Sequence, residues 1–223
     1  MTETGTPFTH STPELYDRYM GPLLFEPYAQ VVAERAALLQ PDRILETAAG
    51  TGIVTRALHK AAPQAQIVAT DVNPAMLAVA AQKLRSDSVS FQQSDAQTLP
   101  FDDESFDFVV CQFGAMFYPD KVRAHQEARR VLRSNGHYLL VSFNRLDRNP
   151  VPHAAGTAVA ALFPDDPPEY MERGLVLGSP FRAEIERRDS SAVDRALDAV
   201  TAALAPWDEN DAPMSAHVVT ATK

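Results

Sequence analysis

Arg43-Ile44-Leu45-Glu46-Thr47 runs directly into Ala48-Ala49-Gly50-Thr51-Gly52 and then into Ile53-Val54. An apolar segment, a loop of small residues and the start of an amphipathic stretch read as a buried strand, a tight turn and a helix. Small side chains in such a turn let a ligand approach the backbone N–H groups at the helix start. Gln66-Ile67-Val68-Ala69-Thr70-Asp71 then reads as the next parallel strand, ending in a carboxylate about 20 residues beyond the glycines, where a ribose presents its two hydroxyls. Glu46 at the end of a buried strand is costly unless it is paired or hydrogen-bonded, so a cationic or donor-rich ligand is a natural partner, with a structural carboxylate satisfied by nearby backbone N–H groups as the alternative. The turn is read as a nucleotide site.

Alternating units follow: helix 53–61, strand 66–71, helix 74–85, strand 88–93, strand 106–112, helix 119–133 and strand 137–143, with Asn135-Gly136 as the stop of the last helix. Such alternation predicts an α/β, doubly wound, mostly parallel Rossmann-like sheet with the ligand outside the carboxyl ends of its strands. Two helices, 13–19 and 25–39, precede the turn as an N-terminal helical lid. Beyond Asn149, the prolines at 150, 152, 164, 167, 168 and 180 punctuate a lid or connector of short helices. Residues 181–204 read as helical, and Ser215-Ala216-His217-Val218-Val219-Thr220-Ala221-Thr222 reads as a final strand, antiparallel beside 137–143. The expectation is one domain over 1–223: a lid at 1–40, a ligand-binding core at 41–149 and a substrate region at 150–223.

Net charge is −9, from 29 acidic and 20 basic residues, with no Lys/Arg cluster to follow a phosphate backbone, so nucleic acid is not expected as a partner. No segment approaches the ~18 apolar residues of a membrane span, and the N-terminus lacks a signal pattern, which predicts a soluble, cytoplasmic protein. The single cysteine, Cys111, excludes an internal disulfide and a cysteine metal cage. A buried small hydrophobe is its expected role. The histidines lack ligand spacing, and no metal site is expected.

Gln93-Ser94-Asp95-Ala96-Gln97 follows the third strand, beside the nucleotide loop in this topology. There Asp95 would accept from the exocyclic amine of an adenine while Ala96 donates its N–H, unless Asp95 merely makes an Asx-type turn. Together with the glycine turn, Asn73-Pro74-Ala75-Met76-Leu77, Leu99-Pro100-Phe101, Ser105-Phe106-Asp107 and Arg130-Val131-Leu132-Arg133-Ser134-Asn135-Gly136, this pattern resembles the class I S-adenosylmethionine-dependent methyltransferases. The similarity is greatest to the bacterial branch of ubiquinone and menaquinone biosynthesis methyltransferases, over residues 16–149. The resemblance implies S-adenosylmethionine as cofactor. It gives the methionine part to Ala48, Gly50 and Gly52, the ribose to Asp71 and the adenine to Asp95. Tyr19, Glu46, Thr51, Val72, Met76, Ala96 and Gln112 complete the implied cofactor shell. Ala48 stands where many members carry glycine, and the stretch between Pro168 and Gly178 is short for the family. The expected sheet therefore has six strands, ending in an exposed 216–222 edge covered by 181–204 or by a second subunit in a homodimer.

The implied reaction is methyl transfer to a small hydrophobic or aromatic molecule. Tyr16, Phe113, Met116 and Phe117 are expected to wall the acceptor, with His153 or His10 as base where one is needed. Two rival readings are a degenerate methyltransferase domain that binds cofactor without turnover, and an NAD-dependent oxidoreductase. Against the latter, Thr55 replaces the third glycine of a dinucleotide fingerprint.

Overall fold

The structure is a computed structural model that describes residues 13, 16–166, 185–207 and 213–223, with the side chains of Tyr19 and Leu23 excepted. His10 and the whole stretch between Pro168 and Gly178 lie outside the described residues. Among the described residues six strands form one sheet in the order β3-β2-β1-β4-β5-β6: β1 Arg43–Thr47, β2 Gln66–Asp71, β3 Val89–Gln93, β4 Phe106–Gln112, β5 Leu132–Phe143 and β6 Ala216–Thr222. The first five are parallel, with Glu46 level with Ala69 on one side and with Val110 on the other. β6 runs antiparallel at the edge: Lys223 N donates to Gly136 O and Asn144 N to Ser215 O, both at 3.0 Å.

The central strands are apolar because helices cover both faces. Ile44, Leu45, Val109, Val110, Leu139 and Val141 are fully buried. The helices are α1 Glu26–Leu39, α2 Ile53–Ala61, α3 Pro74–Lys83, α4 Lys121–Val131, α5 Pro150–Ala160 and α6 Val193–Leu204. α3 starts where sequence chemistry directs it, with the Asn73 side chain accepting from Ala75 N at 2.9 Å and Pro74 in the first turn. Asp120 caps α4 in the same way through Arg123 N.

Several boundaries differ from expectation. The N-terminal helices are not separated by a break at 20–24, because a π-type helix Tyr16–Phe25 runs straight into α1. Helix α4 ends at Val131 and β5 begins at once, since buried Leu132 pairs with Phe106 and Ser105 N donates to Val131 O at 2.8 Å. Asn135-Gly136 is therefore a bulge within β5 rather than a helix stop. Asn135 takes φ 65°, and a Cβ on Gly136 would meet Arg133 O at 2.9 Å. The stretch expected to be helical over 181–204 is interrupted at Asp189. Its side chain accepts from Ser191 N and Oγ and from Arg195, starting a short 3-10 turn before α6; positions 181–184 lie outside the described residues.

Two motifs behind the resemblance prove to be one structural unit. Arg130 donates to Leu99 O at 2.9 Å and Phe101 O at 2.8 Å and is paired with Glu127 and Asp103, while Glu127 accepts from Leu99 N. The guanidinium therefore pins the 99–101 loop over the Leu45, Phe106 and Val109 core.

The chain divides into two compact units, 24–143 with 217–223 and 1–23 with 144–216. The first carries the sheet. The second has its own core, in which α5 and α6 pack Ala155 and Val159 with Ile185, Ala196 and Val200. Pro150 and Pro152 fall in the first turn of α5, where no helical N–H is required. Among the described residues no helix is long and apolar enough to cross a membrane.

Candidate cofactor site

The turn after β1 has the geometry its small residues allow. Ala48, Gly50 and Gly52 take φ 54°, 56° and 76°, a region in which only glycine is unstrained. Ala49 N donates to Thr70 O at 2.9 Å and Gly52 N to Ala49 O at 3.0 Å, so the loop folds back over the end of β2. A Cβ on Gly50 would meet nothing within 4 Å, which leaves that part of the backbone open to a ligand.

Two acids flank the loop on adjacent strands. Asp71 accepts from Gly50 N and Asn73 N, both at 2.8 Å, one on each oxygen. Each oxygen retains a second acceptor position, the valence that binds two vicinal hydroxyls. Burial pushes its carboxyl up, against the amides of Asn73, Gly50 and Val72. Glu46 is only 2% exposed and accepts from Thr55 Oγ1 at 2.6 Å. Burial first, with Asp71 adding to it, raises Glu46 to about 8. A buried carboxyl that resists ionisation is relieved by a nearby cation. Thr55 had only the negative interest of replacing a glycine, yet its hydroxyl is the Glu46 partner, nine residues on and one helical turn into α2.

Beside Asp71, Val72 is 47% exposed, an apolar surface at a strand end, with its carbonyl held by Gln93 Nε2. Met76 is buried in α3 and Ala96 is buried after β3. Asp95 is exposed and makes the Asx-type turn, accepting from Gln97 N at 2.8 Å and from Gln97 Nε2.

The segment after β4 closes the other side. Gln112 donates from Nε2 to Phe25 O at 3.0 Å. Phe113 is 5% exposed, stacks on Phe143 at 4.1 Å and meets Tyr28 edge-on, so it is the centre of an aromatic cluster rather than an open wall. Met116 and Phe117 are half-buried on the 3-10 turn Ala115–Phe117, and Tyr16 is half-buried in the π-type helix. His153 is exposed on α5. No cluster of metal-ligating side chains occurs among the described residues.

A buried polar chain joins this segment to the loop. Tyr118 Oη donates to Thr47 Oγ1 at 3.1 Å and lies 3.2 Å from Cys111 Sγ, while Thr47 donates to Val110 O. Burial pushes the Cys111 thiol up, which removes it as a nucleophile. Gly114 lies against Ala48 so closely that a Cβ on it would overlap the Ala48 Cβ. The Gly114→Ala variant should therefore lose both stability and cofactor affinity, and adding Ala48→Gly should restore much of each. Thermal unfolding and ligand titration of the single and double variants check this, and additive losses would show that the contact does not matter.

The arrangement offers a diol-binding carboxylate, a carboxyl seeking a cation and open loop backbone between them. Two buried polar atoms, Thr51 Oγ1 and Gln112 Oε1, have no partner. These are the complements of S-adenosylmethionine, which carries a ribose, a sulfonium and an amino-acid end.

Comparison with known proteins agrees with this geometry. Residues 45–140 match the family model described as a methyltransferase domain. The demethylmenaquinone methyltransferase of Deinococcus radiodurans is 37% identical over 118 residues, 52% of this chain and 49% of the relative. The ubiquinone/menaquinone biosynthesis C-methyltransferase of Pseudomonas aeruginosa is 34% identical over 136 residues, 59% of this chain and 53% of the relative. The chain thus spans about half the length of the curated relatives it matches. Among solved structures, the YcgJ protein of Bacillus subtilis superposes with a TM-score of 0.56 at 20% identity, covering 88% of this chain and 98% of its own. The [4+2]-cyclase SpnF superposes with a TM-score of 0.57 at 21% identity, covering 89% and 81%, so the fold alone does not name a reaction. Residues 45–140, which include both flanking acids and the whole loop between them, are similar to the methyltransferase-domain family.

Proposed function

We propose that this protein transfers the methyl group of S-adenosylmethionine to a small hydrophobic or aromatic acceptor. The observation that carries the reading is the pair Glu46 and Asp71 at neighbouring strand ends, spanned by a loop whose backbone is open above Gly50. The matched relatives named for quinone methylation support an aromatic acceptor class.

When bound, S-adenosylmethionine would supply a sulfonium-activated methyl group, with the neutral thioether as the leaving group. The protein's part is to hold, orient and exclude water. Asp71 fixes the ribose and the loop from Ala48 to Gly52 holds the methionine part. Glu46 favours the positively charged form of the ligand. Asp95 and Val72 serve the adenine, as acceptor and as apolar surface. Met116 and Phe117 contribute the acceptor wall. A reducing cytoplasm suits the one free, buried thiol.

Calorimetric titration with S-adenosylmethionine, S-adenosylhomocysteine and NAD, followed by transfer of labelled methyl across classes of aromatic acceptor, tests the reading. Both S-adenosyl ligands should bind more tightly than NAD. Asp71→Ala should weaken them by about 1.5–3 kcal/mol, the range for hydrogen bonds to a charged group. Preference for NAD, or unchanged affinity in the Asp71 variant, would reject it.

A further inference from the structure

Resting on the reading of Met116 and Phe117 as acceptor wall, we propose that Tyr118 is a positioning residue for methyl transfer. Its hydroxyl, seated on Thr47, holds the turn that carries those two side chains at a fixed depth over the cofactor loop.

The turn Ala115–Phe117 is fastened at both ends to one peptide at the end of β1. Before it, the backbone of Gly114 packs on Ala48 too closely to admit a Cβ. After it, Tyr118 reaches across 71 residues to Thr47, Oη to Oγ1 at 3.1 Å. Thr47 and Ala48 are neighbours, so both fastenings meet where β1 passes into the loop. Between them Phe117 N donates to Gly114 O at 3.0 Å and Tyr118 N to Ala115 O at 3.3 Å, which leaves the turn little slack. The Gly114 contact only prevents closer approach, whereas the Tyr118 hydrogen bond also prevents separation.

A phenylalanine would fill the same space, so the hydroxyl needs its own explanation. Protons in this buried chain run one way: Tyr118 donates to Thr47 and Thr47 to Val110 O, leaving the thiol of Cys111, 3.2 Å from Tyr118 Oη, as the donor to the phenol oxygen. Every member has a partner, and a satisfied buried network specifies one arrangement. Burial holds the phenol well above its ordinary value, so Tyr118 stays protonated and donates rather than acting as a base. In-line transfer needs the acceptor atom within a narrow range of distance and direction, and a shift of about 1 Å can cost on the order of a hundredfold in rate. The Tyr118 bond controls that distance on the protein's side.

The test uses Tyr118→Phe, Thr47→Val and the double variant, with S-adenosylhomocysteine as binding probe and transfer of labelled methyl from S-adenosylmethionine to catechol and 1,4-naphthohydroquinone. Tyr118→Phe should keep its Kd for S-adenosylhomocysteine within about twofold, while kcat falls at least roughly tenfold. The double variant replaces both partners by apolar groups, so its melting temperature should return toward that of the parent, yet its kcat should stay low because the seat is gone. A kcat that recovers with stability, or never falls, marks the bond as structural only and overturns the proposal. Should Tyr118→Phe fail to fold, Thr47→Ser and Thr47→Val make the comparison: the serine hydroxyl should retain the rate and valine should lose it, and equal rates reject the seat. In the parent, S-adenosylhomocysteine should also slow amide exchange at Phe117 and Tyr118, an effect lost in Tyr118→Phe and in Thr47→Val. That measurement decides where neither acceptor is methylated, an outcome that refutes the acceptor reading itself: protection lost in the variants upholds the fastening, and protection absent from the parent or unchanged in the variants rejects it. A parent that does not bind S-adenosylhomocysteine refutes the cofactor reading, and the proposal with it.

Discussion

Gly52→Val is expected to abolish detectable cofactor binding and to lower the melting temperature. Gly52 takes φ 76°, and its added Cβ would lie 2.9 Å from the Ala80 Cβ and 3.4 Å from the Ala80 Cα. Valine is stiff at χ1 and strained at positive φ, so neither side chain nor backbone offers an escape. The loop must move away from α3, pulling Gly52 N from Ala49 O and disturbing the residue that opens α2. Gly50→Ala separates folding from binding. It meets open space, so its folding cost is limited to the left-handed conformation, about 1–2 kcal/mol, but its methyl projects where the ligand approaches. Gly50→Ala should therefore fold with a modest loss of stability and bind at least roughly tenfold more weakly, a difference of about 1.4 kcal/mol. Thermal denaturation paired with titration distinguishes the two variants. Full affinity in Gly50→Ala would mean that the cofactor does not lie over this loop.

That contrast explains how much of the site is legible in a single sequence. The turn, both flanking acids and the order of the first four strands follow from local signals. Buried parallel strands show as apolar runs, the Asn73-Pro74 cap is a short-range motif, and the spacing from Gly52 to Asp71 reflects one helix and one crossover. Contacts across the fold leave no such trace. Nothing near Thr55 indicates that its hydroxyl serves Glu46, and Tyr118 lies 71 residues from Thr47. Gly114 carried a signal that was available, a glycine just past a strand end, where two backbones often approach closely. The misread start of β5 has a physical cause as well. Asn135-Gly136 suits a helix stop and a bulge equally, and the pairing of Leu132 with Phe106 decides between them.

Glu46 should give the protein an unusual dependence on pH. Its carboxyl is raised from an ordinary 4.5 to about 8 in the folded chain, so between those values the native state holds a proton that the unfolded state has lost. The stability this group contributes is fully present below pH 4.5 and is lost as pH rises toward 8. The slope approaches 1.4 kcal/mol per pH unit, or about 5 kcal/mol over the window. Glu46→Gln imitates the protonated carboxyl and can still accept from Thr55. It should match the parent near pH 5, unfold at higher urea near pH 8, and lack that part of the slope. Ligand binding carries the opposite sign. A cofactor bearing a sulfonium and an ammonium favours the carboxylate, so its binding near pH 7 should release a proton, seen as a buffer-dependent heat. Affinity should rise with pH until Glu46 is ionised, a trend the glutamine variant loses along with much of its affinity. Asp71 and Arg56 are the charges that act on this carboxyl, the first raising and the second lowering it. Asp71→Asn should therefore shift the transition to lower pH without removing it. Identical pH profiles for the parent and Glu46→Gln, in both unfolding and binding, would show that Glu46 is already ionised in the free protein and that burial is not what prepares this site for a cation.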